Sequence, residues 1–161
     1  MPIQALRADA SHLEKIAPLF DAYRGFYGQP ANLPQSRAFI AERIARNESV
    51  IFLAEDASGE PLGFVQMFPT FSSIDAHRTW LLGDLFTTPA ARGKGVGTLL
   101  LNTARDFAVL TGAKGMTLET ATDNHSAQRL YESLGWVRDA GYYTYCLDLK
   151  VAAPAGLPPK R

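Results

Sequence analysis

The stretch DLFTTPAARGKGVGTLLLNTARDFA, residues Asp84–Ala108, decides how the rest of the chain is read. A strand ends near Thr87, and Pro89 prevents its simple continuation. Arg92-Gly93-Lys94-Gly95-Val96-Gly97 then leads directly into an apolar helix that runs to about Leu110, where Gly112 ends it. Glycine carries no Cβ, so the backbone can turn tightly there and approach a ligand closely. The first amides of the helix have no intrahelical partner, and the helix dipole adds partial positive charge at the same place. Together these features make a site for a phosphate or pyrophosphate. Two other glycine motifs are excluded. G-x-x-x-x-G-K-[ST] fails because Gly95 follows Lys94 and Thr88 stands where the first glycine is needed; G-x-G-x-x-G fails because Thr98 or Leu100 occupies its last place.

Outward from this turn, the chain alternates short strands and helices. Ile3–Arg7 reads as a strand, and Asp9 or Ser11 caps a helix from about Ser11 to Gly25, with Leu13, Ile16, Phe20 and Tyr23 on one face. FYGQPANLP is a loop, and a second helix follows from about Gln35 to Arg46. Ser49–Glu55 and Pro61–Phe71 are strands joined by a hairpin turn at DASGE, and Thr79–Thr87 is a further strand. Beyond the central helix, Lys114–Ala121 is a strand, Ser126–Leu134 a helix stopped by Gly135, and Trp136–Leu149 a pair of closing strands. The order β-α-α-β-β-β-α-β-α-β-β predicts one mixed α/β domain over residues 1–150, with VAAPAGLPPKR, residues 151–161, as a flexible C-terminal tail.

Composition narrows the class of function. With 161 residues, 47% of them hydrophobic, the chain is long enough to bury a core unaided. Its formal net charge is zero, which is unlike the basic stripe of a nucleic-acid binder, so a bound anion must be held by local geometry. Cys146 is the one cysteine, so no internal disulfide forms; within YYTYCLDL it reads as a small packed hydrophobe. His77 and His125 have no second ligand at helical or hairpin spacing, which speaks against a metal site. The opening MPIQALRADASHLEKIAP does not resemble a signal peptide, and no apolar run is long enough to span a membrane. The expected location is the cytoplasm.

At this point the residues resemble a family. The turn Arg92–Gly97 is similar to the [QR]-x-x-G-x-[GA] motif of the GNAT (GCN5-related) N-acetyltransferases. Asn124, Ala127, Leu130, Tyr131, Gly135 and Trp136 match that family's N-x-x-A-x-x-[LF]-Y-x-x-x-G-[FW] pattern in the expected order. The resemblance covers about Ile3 to Leu149; the N-H-x-A-Q-x-L-Y wording and the early YRGFYG most resemble the Hpa2-like histone and polyamine branch. It implies a single domain with a mixed, mostly antiparallel sheet of about seven strands, splayed in the middle, and about four helices. It also implies an enzyme that transfers an acetyl group from acetyl-CoA to a primary amine, on a small molecule or a lysine side chain, by direct attack in a ternary complex.

Carried over residue by residue, the resemblance implies that the amides of Arg92, Gly93, Lys94, Gly95, Val96 and Gly97 hold the coenzyme A pyrophosphate. Leu85, Phe86 and Thr87 would pair their backbone with the pantetheine arm as an added strand. Asn124 would contact the cofactor, although its position also suits a helix cap. Tyr131 would protonate the departing thiolate, or else serve as a core tyrosine beside Leu130 and Leu134. An alkylammonium with a pKa near 10.4 must lose a proton before it attacks, and Glu119 is the first candidate base, Asp84 the second and a water relay the third. Related enzymes often carry a glutamate just before Asp84, where this chain has Gly83. Tyr23 and Tyr27, with Arg24 and Phe26, would wall an amine pocket or pack as core. The alternative to catalysis is an acyl-CoA-binding sensor without chemistry, and a nucleotide-phosphate enzyme is a third reading. Tyr142–Leu149 is apolar enough to pair at a sheet edge in a homodimer.

Overall fold

The structure, a computed structural model, describes residues 2–150, and the expected tail at 151–161 lies outside them. The elements are β1 (Ile3–Arg7), a 3₁₀ turn (Ala10–His12), α1 (Leu13–Phe26), α2 (Leu33–Ala45), β2 (Val50–Asp56), β3 (Pro61–Ser72), β4 (His77–Thr87), a second 3₁₀ turn (Pro89–Ala91), α3 (Val96–Leu110), β5 (Gly115–Leu118) and α4 (His125–Ser133). The chain divides between Glu119 and Thr120 into two compact units.

The first unit is a sheet in the order β1-β2-β3-β4-β5, antiparallel through β4 and parallel between β4 and β5. Alternation sends successive side chains to opposite faces. Ile51, Leu53, Phe64 and Phe86 therefore meet Ile16, Leu19, Phe20 and Tyr23 of α1 and Ile40 of α2 on one face. On the other face, Phe107 of α3 stacks edgewise on Phe52 and Trp80, with ring centroids 5.5 and 5.6 Å apart. Each large apolar side chain taken from water in this way contributes about 1.5–3 kcal/mol. Glu55, buried in β2, accepts a 2.9 Å hydrogen bond from Lys15 at the start of α1, which also reaches the Gly59 carbonyl.

Helix ends follow the sequence closely. All four helices end in the same motif, with a residue of positive φ just past the C-cap: Gly28, Asn47, Gly112 and Gly135. After α3, the Gly112 amide bonds the Val109 carbonyl and the Ala113 amide the Ala108 carbonyl, the paired bonds of a Schellman motif. α1 begins later than expected because Asp9 caps the 3₁₀ turn before it, by accepting from the Ser11 amide.

The sheet departs from expectation in strand number. Five strands form among the described residues, where about seven were expected, and β5 stops at Leu118 instead of reaching Ala121. The missing pair is Trp136–Leu149, in the second unit, which forms no ladder. Alternation of apolar residues permits a strand, but only a hydrogen-bonded neighbour makes one. Tyr143, Tyr145 and Leu147 are exposed in consequence, and so is Cys146, contrary to its reading as a packed hydrophobe.

Candidate functional site

The site in the first unit begins with the irregular end of β4. Pairing with β5 stops at Leu82↔Leu118, whereas β4 continues through Gly83 to Thr87 along β3. No other strand pairs with that stretch among the described residues, so the backbone edge of Leu85–Thr87 away from β3 carries no ladder. Across β3, Asp84 faces Gln66 and Leu82 faces Met67, leaving Gly83 as the extra residue of a bulge. A side chain at Gly83 would require the Phe68 ring to move, because its Cβ would stand 2.5 Å from that ring. The absence of the glutamate common at that position therefore has a steric counterpart in Phe68. The Gly83 carbonyl accepts from the Tyr23 hydroxyl at 3.2 Å.

The turn that follows is built as the sequence reading expects. Gly93 and Gly95 have φ of +74° and +84°, in the left-handed region that glycine adopts without strain. Gly95 is the N-cap of α3 and offers no side-chain cap. The first carbonyl engaged by the helix is that of Gly95, from Leu99, so among the described residues the amides from Gly93 to Thr98 engage no carbonyl. A Cβ at Gly93 or Gly95 would meet nothing within 4 Å among the described residues, so these two positions need glycine for their backbone angles and not for want of room. Amides without a backbone partner at a helix N-terminus suit a phosphate or diphosphate. Gly63 lets the turn sit against β3, since a Cβ there would clash with the Phe86 carbonyl oxygen and lie 3.2 Å from Val96. Arg92 folds back, donating from Nε to the Thr87 carbonyl, with its guanidinium 6.0 Å from the Phe86 ring centre and 5.9 Å from that of Phe26.

The two candidate bases differ in setting. Asp84 is buried, and its Oδ2 accepts from the Gln66 amide at 2.5 Å. Glu119 is exposed, one residue beyond β5. The tyrosines separate as well. Tyr23 is a core residue whose hydroxyl reaches the bulge, and Tyr27 packs partly against that core, with its ring 5.1 Å from Tyr23. Phe26, by contrast, is exposed. A groove of about 520 Å³ lies elsewhere, between Arg7, Arg78, Trp80 and Phe107 near the far end of α3, and it contains none of these residues.

In the second unit, Asn124 caps α4 by accepting from the Ala127 amide at 3.2 Å, which is the structural role its position also suits. Tyr131 lies on α4 with its ring 6.2 Å from that of Trp136. Among the described residues no group of histidine, cysteine or acidic side chains is arranged to hold a metal ion. No helix among them is long and apolar enough to cross a membrane. Sequence reasoning missed Gln66 and Ser49; the detectable signal was a glutamine inside the otherwise apolar PLGFVQMF strand.

The sequence profile of the acetyltransferase (GNAT) family matches residues 16–136. The chain belongs to the GNAT acetyltransferases. It is 46% identical over 143 residues to an uncharacterized N-acetyltransferase of Bacillus subtilis, covering 89% of this chain and 95% of that protein. A protein of Haemophilus influenzae named a probable acetyltransferase is 34% identical over 77% of this chain and 85% of its own length. The crystal structure of a probable acetyltransferase superposes with a TM-score of 0.87 at 39% identity, covering 92% of this chain and 99% of that one. An aminoglycoside N-acetyltransferase in complex with CoA shares the GNAT fold, with a TM-score of 0.75 at 20% identity over 91% and 95% of the two chains. These relatives carry no histone or polyamine designation, so the resemblance to the Hpa2-like branch is not supported beyond the family.

Proposed function

We propose that this acetyltransferase moves the acetyl group of acetyl-CoA to a primary amine by direct attack in a ternary complex. The observation that carries the reading is the run of unengaged amides at Gly93–Thr98, beside the unpaired end of β4. The amides of Arg92–Gly97 bind the diphosphate, and Leu85, Phe86 and Thr87 align the pantetheine arm by backbone hydrogen bonds. A strand amide near Phe86 or Thr87 stabilises the oxyanion that develops on the thioester carbonyl.

Asp84 is the base best supported by the structure, because it is buried and held in place, whereas Glu119 is exposed. It takes a proton from the incoming ammonium, the amine nitrogen bonds to the acetyl carbon, and the carbon–sulfur bond breaks. The electron pair leaves on sulfur, Tyr131 supplies the proton that makes the free thiol, and the remaining extra proton on the acylated nitrogen passes through solvent to restore the Tyr131 hydroxyl. Asn124 contributes a cofactor contact in addition to its cap. The acceptor is a small-molecule amine or a lysine side chain, presented over the Tyr23–Tyr27 side of β4. Purified protein incubated with acetyl-CoA and a panel of primary amines is expected to release thiol in step with acetylated product detected by mass. Saturable acetyl-CoA binding without thiol release across the panel would instead make the protein a sensor.

A further inference from the structure

Asp84 is bonded to Gln66, and Gln66 to Ser49, two neutral side chains that no acetyl-transfer step uses directly. Ser49 Oγ donates to Gln66 Oε1 at 2.8 Å, and Gln66 Nε2 donates to Asp84 Oδ2 at 2.5 Å. Gln66 has no exposed surface, and Ser49 and Asp84 are each 8% exposed. Ser49 immediately precedes β2, Gln66 lies in β3, and Asp84 lies opposite it in β4, so the chain of bonds runs from the start of β2 through β3 to β4.

A glutamine amide is asymmetric, donating only through nitrogen and accepting only through oxygen. The Ser49 hydroxyl on Oε1 selects the orientation that turns an N–H toward the carboxylate. The opposite orientation would set a carbonyl oxygen against it. A buried amide is costly unless both ends are satisfied, and Val65 and Met67 on either side are fully buried apolar residues. An apolar side chain at 66 would serve packing equally well. What the amide adds is a fixed carboxylate, while Tyr23 fixes the adjacent Gly83 carbonyl.

We propose that Gln66, locked by Ser49, is the positioning residue that presents the Asp84 carboxylate to the acceptor amine. This rests on the reading of Asp84 as the base. Of the other ionisable groups, Tyr23 comes from α1, β3 contributes none over Pro61–Ser72, β5 none over Gly115–Leu118, with exposed Glu119 following it, and Arg92 sits beyond Phe86.

The test uses the full chain with acetyl-CoA and a primary amine identified as an acceptor by thiol release. It reads the pH dependence of kcat/KM, the KM for acetyl-CoA, and the ¹³C-NMR titration of the Asp84 carboxyl. In Gln66→Glu two carboxyls share one site, so a proton is retained to higher pH and the acid limb moves up by about one unit or more. The KM for acetyl-CoA is expected to stay within about twofold, because the turn is untouched. Ser49→Ala releases the amide and lowers kcat, whereas Ser49→Thr keeps the hydroxyl and restores it; these two carry the test if Gln66→Glu does not fold. Asp84→Asn is expected to cost at least about a hundredfold in kcat. If Asp84→Asn silences the enzyme but neither the Asp84 titration nor the acid limb responds at Gln66 or Ser49, the positioning role is overturned and the base stands. If Asp84→Asn turns over normally, both fall.

Discussion

The two ends of α3 are built on opposite rules. At its C-terminus the Phe107, Ala108 and Val109 carbonyls are all taken by the backbone, and Ala108 also accepts from the Thr111 hydroxyl at 2.8 Å. That hydroxyl in turn accepts from the Trp80 indole at 3.0 Å. At its N-terminus, about 22 Å away for a 15-residue helix, Gly95 supplies no side-chain cap and, among the described residues, the first amides engage no carbonyl. The other helices do not share this asymmetry. α2 and α4 are capped by Asn32 and Asn124, and α1 continues from a 3₁₀ turn capped by Asp9. The orphan groups of a helix end are met by caps, by water or by a ligand, and the uncapped end of α3 is where the proposed diphosphate would complete the bonding.

The largest effect is expected at the open end. Gly95→Glu forces a β-carbon into the left-handed region and sets a carboxylate against the bound diphosphate. Coenzyme A affinity measured by calorimetry should fall by about a hundredfold, equivalent to ~3 kcal/mol. An unchanged dissociation constant in a folded variant would remove the basis of the proposed donor site. At the closed end the same helix should respond only in stability. Thr111→Val deletes the acceptor for Trp80 and the donor to Ala108, costing about 1–2 kcal/mol in chemical denaturation. Coenzyme A affinity should not change, and a parallel loss of binding would mean that the two ends are not independent.

That contrast also explains what was legible in the sequence. Glycines at helix ends and in the turn act through local backbone geometry, so Gly93, Gly95, Gly112 and Gly135 could be read from a few neighbouring residues. The family motifs lie in the same local segments. The Gly83 bulge could not be read this way, because it exists only through the register of β3 against β4 and the Phe68 ring beside it. Likewise the preference for Asp84 over Glu119 depends on which of two carboxylates becomes buried, a consequence of packing between distant elements. Tyr142–Leu149 shows the converse error. Its alternation was plain in the sequence, but strand formation needs a partner that alternation does not specify.

The smallest expected effect lies beside the closed end, where the loop after α3 enters β5. Lys114 Nζ donates to Asp75 Oδ1 at 3.0 Å, tying β5 to the turn between β3 and β4. This hydrogen bond and the lysine charge, with help from the Ser72 hydroxyl, hold the Asp75 carboxyl below its ordinary value of 3.8. A carboxyl depressed by folding stabilises the native state above its unfolded pKa and loses that contribution as pH falls through the folded value. The Asp75 contribution is therefore complete at neutral pH and disappears below pH 3.8. Both partners are substantially exposed, so the neutral-pH difference between wild type and Asp75→Asn should be small and weaken further with salt. Thermal melts from pH 7 downward should converge in acid. A difference that persisted below the folded pKa would show that Asp75 acts through turn geometry, and the far end of α3 would then owe its closure to hydrogen bonds alone.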